Sequence, residues 1–86
     1  MVSAITLTLI GKPGCHLCEE AEVAVEGVLA DFETDQVVLE HKSIEDDQDL
    51  YDSYWDQIPV LLIDGKVHNY WRIDPERLRL ALKERS

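Results

Sequence analysis

Two cysteines three residues apart, Cys15-His16-Leu17-Cys18, are the side chains of this 86-residue chain best suited to chemistry. Such a pair can hold half of a metal site, pack as two small apolar side chains, or open and close a disulfide. Simple packing would not call for this spacing directly after Pro13-Gly14. A structural zinc ion needs four ligands, and only His16, His41 and His68 could complete the set, with no histidine pair at a usual zinc spacing. A disulfide closing so short a loop removes little chain entropy, so it does little for stability. Reversible thiol–disulfide exchange is the reading that uses both the residue type and the spacing.

The elements around the pair decide which sulfur does what. Ser3 to Ile10 alternates β-branched and apolar residues and reads as a strand. Gly11-Lys12-Pro13-Gly14 breaks it. From Cys15 the period changes to that of a helix, with Leu17, Ala21, Ala24, Val25, Val28 and Phe32 on one face and Glu19, Glu22 and Glu26 opposite. The pair therefore sits where a strand ends and a helix begins. Unpaired backbone N–H groups at a helix start stabilise negative charge, which suits Cys15 as the attacking sulfur. His16 and Lys12 can add positive charge, and Glu19 and Glu20 oppose them. Cys18 lies one turn inside, on the same side as Cys15, where it is shielded and placed to resolve a mixed disulfide.

Further along, Val37 to Lys42 reads as a second strand. Leu50, Tyr51, Tyr54 and Trp55 suit the apolar face of a short helix, and the three aromatics are expected to serve the core. Pro59 stops that helix and pushes Ile58 toward extended geometry. Val60 to Ile63 is expected to be a buried strand, and Asp64-Gly65 a two-residue hairpin turn into Lys66 to Tyr70. His41 and His68 fall on strands and read as structural or solvent-facing. Asp74-Pro75-Glu76 carries the signals of a helix start. The order β-α-β-α-β-β-α implies an α/β fold: a mixed four-stranded sheet with helices on both faces, in one domain spanning residues 1–86.

Composition limits the other possibilities. The chain is 45% hydrophobic and 30% charged, which supports one modest core. No apolar run is long enough to cross a bilayer, and the first residues lack the pattern of a secretory signal, so a cytoplasmic location without membrane association is expected. The formal net charge is −10, which argues against nucleic-acid binding, since Lys and Arg supply phosphate affinity. The charge is uneven: residues 19–56 hold 14 acids and a single base, Lys42. That stretch reads either as a solubilising face or as a docking surface for a basic protein.

Taken together, the first strand with Gly11-Lys12-Pro13-Gly14-Cys15-His16-Leu17-Cys18, then Ile58-Pro59-Val60, then the hairpin at Ile63-Asp64-Gly65-Lys66 resemble the glutaredoxin-like branch of the thioredoxin fold. The phrase Pro-Gly-Cys-His-Leu-Cys-Glu-Glu-Ala is most similar to small glutaredoxin-like proteins. The resemblance implies Cys15 as nucleophile, Cys18 as resolving thiol and Pro59 as a cis-proline facing the site. It further implies that the Ile58 backbone pairs with a bound peptide or glutathione and that Lys12 meets a glutathione carboxylate. Two departures stand out. Leu17 replaces an aromatic residue, and Asn69-Tyr70-Trp71-Arg72-Ile73-Asp74 replaces a glycine-rich corner that grips glutathione, bringing Trp71 and Arg72 to the substrate side.

The resulting expectation is a dithiol–disulfide oxidoreductase or electron carrier, a monomer with no tightly bound cofactor and no metal. Its redox-active group is the Cys15–Cys18 disulfide and its substrates are disulfide-containing proteins. Electrons come from a thiol or flavoprotein reductant, with glutathione working only weakly. The alternative is a non-catalytic module on the same fold that binds a basic protein through its acidic half. Iron–sulfur or zinc binding through Cys15 is a third, weaker reading.

Overall fold

A computed structural model describes residues 4–32 and 36–85 of the chain. The elements run β1 (Ile5–Gly11), α1 (His16–Leu29), β2 (Val37–Ser43), α2 (Gln48–Tyr54), β3 (Val60–Ile63), β4 (Lys66–Tyr70) and α3 (Pro75–Arg85). The sheet order is β2-β1-β3-β4. β1 pairs parallel with β2 through the α1 crossover, and antiparallel with β3, which pairs antiparallel with β4.

Strand alternation sends the apolar residues to two cores. Leu7, Leu9, Leu61 and Ile63 face α1 and α3, where Ala21, Val25, Val28, Leu78 and Leu82 meet them. Ile10 and Val60 face the other way, into a smaller cluster with Ile44, Leu50, Tyr54, Ile58 and Leu62. Helices thus cover both faces of the sheet: α1 and α3 one, α2 the other. Leu7, Ile10, Leu61, Leu78 and Leu82 are fully buried.

Local chemistry sets the boundaries. Asp64 and Gly65 have φ of 49° and 85°, the left-handed pair that a tight hairpin needs. Asp64 also ties the turn to β1, its carboxylate accepting from Thr6 N–H at 2.9 Å. Asp74 caps α3, accepting from Glu76 N–H at 3.1 Å and Arg77 N–H at 3.3 Å. Asp47 caps α2 in the same way through Asp49 N–H.

Several expectations need correcting. Gly11 is the last residue of β1, not a strand breaker: it pairs with Ser43, and its carbonyl accepts from Ile44 N–H. The expected strand start at Ser3 lies outside the described residues. α1 ends at Leu29, and Phe32 reaches the core from the turn that follows. Leu17, expected on the apolar face of α1, is exposed and lines an open groove with Trp71 and Arg72. The largest correction concerns α2. Tyr54 does pack on the smaller cluster, but Tyr51 and Trp55 are 45% and 56% exposed. A helix of seven residues has two turns, and its narrow buried stripe is already filled by Leu50 and Tyr54.

Candidate functional site

The register of the sheet gathers the candidate residues at one end. Ile10 of β1 lies opposite Val60 of β3, and Val60 lies opposite Tyr70 of β4. The segments just beyond these positions therefore converge: Gly11 to Cys15, Ile58-Pro59, and Trp71-Arg72. The Ile58–Pro59 bond is cis. Trp71 N–H donates to the Pro59 carbonyl at 2.8 Å, and its indole Nε1 donates to the Asp56 carbonyl at 3.2 Å. Both ends of the proline loop are thus held by one residue.

The two cysteines are unlike. Both are free thiols. Cys15 is half-buried and is the N-cap of α1, with φ −87° and ψ 115°. Its Sγ accepts a hydrogen bond from Cys18 N–H at 3.2 Å, so an orphan donor of the helix start is aimed at the sulfur. Gly14 just before it takes φ +74°, a left-handed turn that costs glycine nothing and delivers the chain from β1 to the cap.

Cys18 is buried one turn in. Burial pushes its thiol up to about 11, and the hydrogen bond to Cys15 and the charge of Cys15 add to this. The backbone and the charge of Lys12 pull the other way. Since the thiolate is the species that alkylates, the rate of Cys18 modification by iodoacetamide should climb roughly tenfold per pH unit up to about 11. A plateau near pH 9, read by mass spectrometry of peptides containing Cys18, would contradict this.

Gly11 is the residue that sequence reasoning missed. A Cβ placed there would lie 2.8 Å from Cys18 Sγ and 3.1 Å from its Cβ. The bare backbone at the end of β1 is what makes room for the Cys18 sulfur. The signal was present as a glycine ending a strand of β-branched and leucine residues seven positions before Cys18, but only the tertiary contact gives it meaning.

Two grooves lie near the start of α1, the first reaching Cys18 and the second Leu17. One of about 380 Å³ is lined by Gly11, Lys12, Gly14, Cys18, Glu22 and His41 among others. The other, of about 330 Å³, is lined by Leu17, Glu20, Ala21, Trp71, Arg72 and Ile73 among others. Lys12 lines the first and Arg72 the second. His16 lies against Glu19 and Glu20, at 4.0 and 3.6 Å, and is largely exposed. His41 is on β2 beside Glu22, at 3.7 Å. Among the described residues no three histidine, cysteine or acidic side chains converge as metal ligands, and no helix is long and apolar enough to cross a membrane.

A four-stranded mixed sheet with a C-x-x-C pair at the start of its first helix, and a cis-proline at the same end of the sheet, defines a thioredoxin-fold domain. Within that class, the chain belongs to the family described as Glutaredoxin-like domain (DUF836), which matches residues 6–83. A glutaredoxin-like protein of Dictyostelium discoideum is 32% identical over 83 residues, 93% of this chain and 77% of that protein. The X-ray structure of target protein XcR50 from X. campestris is 31% identical, covering 91% of this chain and 96% of the other with a TM-score of 0.72. Protein Ne2328 from Nitrosomonas europaea is 27% identical over 94% of both chains, with a TM-score of 0.75. Chloroplastic thioredoxin z shares the fold at 12% identity, with a TM-score of 0.75 over 95% of this chain and 78% of that one.

Proposed function

We propose that the protein is a dithiol–disulfide oxidoreductase in which Cys15 attacks and Cys18 resolves. The observation that carries this reading is the asymmetry of the pair: a half-buried cap sulfur receiving a backbone N–H, and a buried thiol pushed up to about 11. At neutral pH Cys18 stays a thiol and does not compete for substrate.

The Cys15 thiolate attacks one sulfur of a substrate disulfide, forming the Cys15–substrate bond and expelling the first substrate thiolate, which takes up a proton. Cys15 then carries no charge, so its contribution to holding the proton on Cys18 disappears, while the help from Lys12 remains. Cys18 loses its proton and attacks Cys15 Sγ. The Cys15–Cys18 disulfide forms and the second substrate thiolate leaves, protonated in turn. The substrate gains two electrons, the protein loses them, and the protons of the two protein thiols finish on the substrate. In this scheme the cis Ile58–Pro59 backbone lines up the substrate strand, and Leu17, Trp71, Arg72, Lys12 and His16 border it.

The electron source is a dithiol protein or a flavoprotein reductase in preference to glutathione. Trp71 stands at φ 60°, a region that a bulky side chain enters only at a cost. Its two hydrogen bonds to the proline loop hold it there, so a bulky side chain takes the place of the small glycine-rich segment that would admit the tripeptide. Acids along residues 19–56 also repel an anionic ligand, though only at short range in salt. With oxidised protein, reduction by a thioredoxin and its reductase should outpace reduction by glutathione. Equal or faster recovery of thiols with glutathione would reject this assignment of the reductant. The oxidoreductase reading itself is tested by adding a small neutral disulfide to the reduced protein: failure to form the Cys15–Cys18 disulfide would reject it in favour of a non-catalytic module.

A further inference from the structure

Two large aromatic side chains, one in α2 and one at its C-cap, are exposed. Tyr51 and Trp55, one turn apart, stack with ring centroids 6.5 Å apart and planes 19° from parallel. They are continuous with the candidate site: Asp56, the next residue, gives its carbonyl to the indole of Trp71, a residue 54% exposed whose ring centroid lies 5.9 Å from that of Tyr70. Trp71 in turn holds the Pro59 carbonyl. Trp71 also lines the groove that includes Leu17 and Glu20 of the first turns of α1, so the ridge leads from α2 toward the start of α1.

Along α2 and its flanks the charge has one sign, while Arg72 stands beside Trp71 at the other end. Residues 45–56 carry Glu45, Asp46, Asp47, Asp49, Asp52 and Asp56 and no base. Asp47 caps the helix and Asp52 accepts from Gln48. The ion pairs recorded among the described residues use Glu19, Glu20, Glu22, Asp31 and Glu76 instead. Exposed aromatic faces attract cations through the ring quadrupole, Arg above all, and acids between them add the matching field. Exposed Trp and Tyr of this extent are what interfaces use as anchors.

We propose that Tyr51, Trp55 and Trp71 form a docking ridge for polypeptides with Arg or Lys flanking the reactive cystine, so that the substrates are basic protein disulfides. The substrate part of this rests on the oxidoreductase reading; the docking part does not. Electrostatic attraction brings the basic flank to α2, the arginine planes lie on the rings, and the adjoining disulfide is carried along the ridge to Cys15.

The test separates the two parts. Cystine-free peptides that differ only in Arg or Glu flanks are titrated into the reduced protein, with tryptophan fluorescence as readout. The same peptide pair, each with a cystine, is then reduced in single turnover alongside a small neutral disulfide. We expect the arginine peptide to bind at least about tenfold tighter at low ionic strength, and the difference to shrink in salt. The paired substitution Tyr51→Ser and Trp55→Ser, at exposed positions, should remove this preference, as should Asp52→Asn with Asp56→Asn, while rates on the neutral disulfide stay as in the parent. Equal binding of both peptides, or binding unaffected by either pair of substitutions, overturns the ridge even where the neutral disulfide reacts normally. Self-association abolished by the Tyr51 and Trp55 changes, without peptide binding, assigns the ridge to a second copy and overturns it too. Arginine-peptide binding by a protein inert toward every disulfide supports the ridge and rejects the substrate role.

Discussion

Replacing Cys15 with serine is expected to abolish reduction of a small neutral disulfide, a loss of at least about a thousandfold, as for the removal of other catalytic nucleophiles. The remaining sulfur cannot take over. Cys18 is buried, and a thiol pushed up to about 11 is almost wholly protonated at neutral pH. Cys18→Ser has the opposite signature. Cys15 keeps its place at the cap, where the Cys18 N–H it accepts is a backbone group that the substitution leaves intact. The variant should attack once and stop, accumulating a mixed disulfide visible by mass spectrometry. Alkylation of the reduced parent protein gives an independent check: Cys15 should be labelled first, and faster labelling at Cys18 would reverse the two roles.

How much of this was legible in the sequence follows from the range of the interactions involved. The elements carry their own periodicity and caps, and Asp64-Gly65 fixes a hairpin locally, so the order of strands and helices could be read along the chain. The positions of Cys15 at the cap and of Cys18 buried one turn in could be read for the same reason, because a helix start and the turn after it are local features. Three properties could not. Tyr51 and Trp55 have the spacing of a buried stripe, and only the short length of α2, with Leu50 and Tyr54 already covering the small cluster, leaves them outside. Trp71 adopts a left-handed backbone that its side chain disfavours and that contacts with Asp56 and Pro59 impose. Gly11 looks like a breaker until the strand and the helix are packed together.

Gly11 therefore supplies the second large effect. Its hydrogen-bonded place in β1, with the carbonyl held by Ile44 N–H and the pairing to Ser43, prevents the backbone from retreating. A side chain there meets Cys18 Sγ at 2.8 Å, so the sulfur is the group that must move. Gly11→Ala forces a rotation of the Cys18 side chain, and Gly11→Val adds methyl groups that block its return. Overpacking of this kind costs about 1–3 kcal/mol of stability, which a domain of this size can survive. The kinetic cost is larger, because displacing a reacting atom by about 1 Å slows a step on the order of a hundredfold. Attack by Cys15 needs no space at Gly11 and should proceed at near the parent rate. Gly11→Val should therefore behave as a partial copy of Cys18→Ser, trapping substrate on Cys15 although Cys18 is present, with Gly11→Ala intermediate. Stopped-flow release of the second substrate thiol, set against formation of the mixed disulfide, separates the two steps. Equal slowing of both would mean that the substitution distorts the whole end of the sheet, and unchanged release would mean that Cys18 does not need the space that Gly11 leaves.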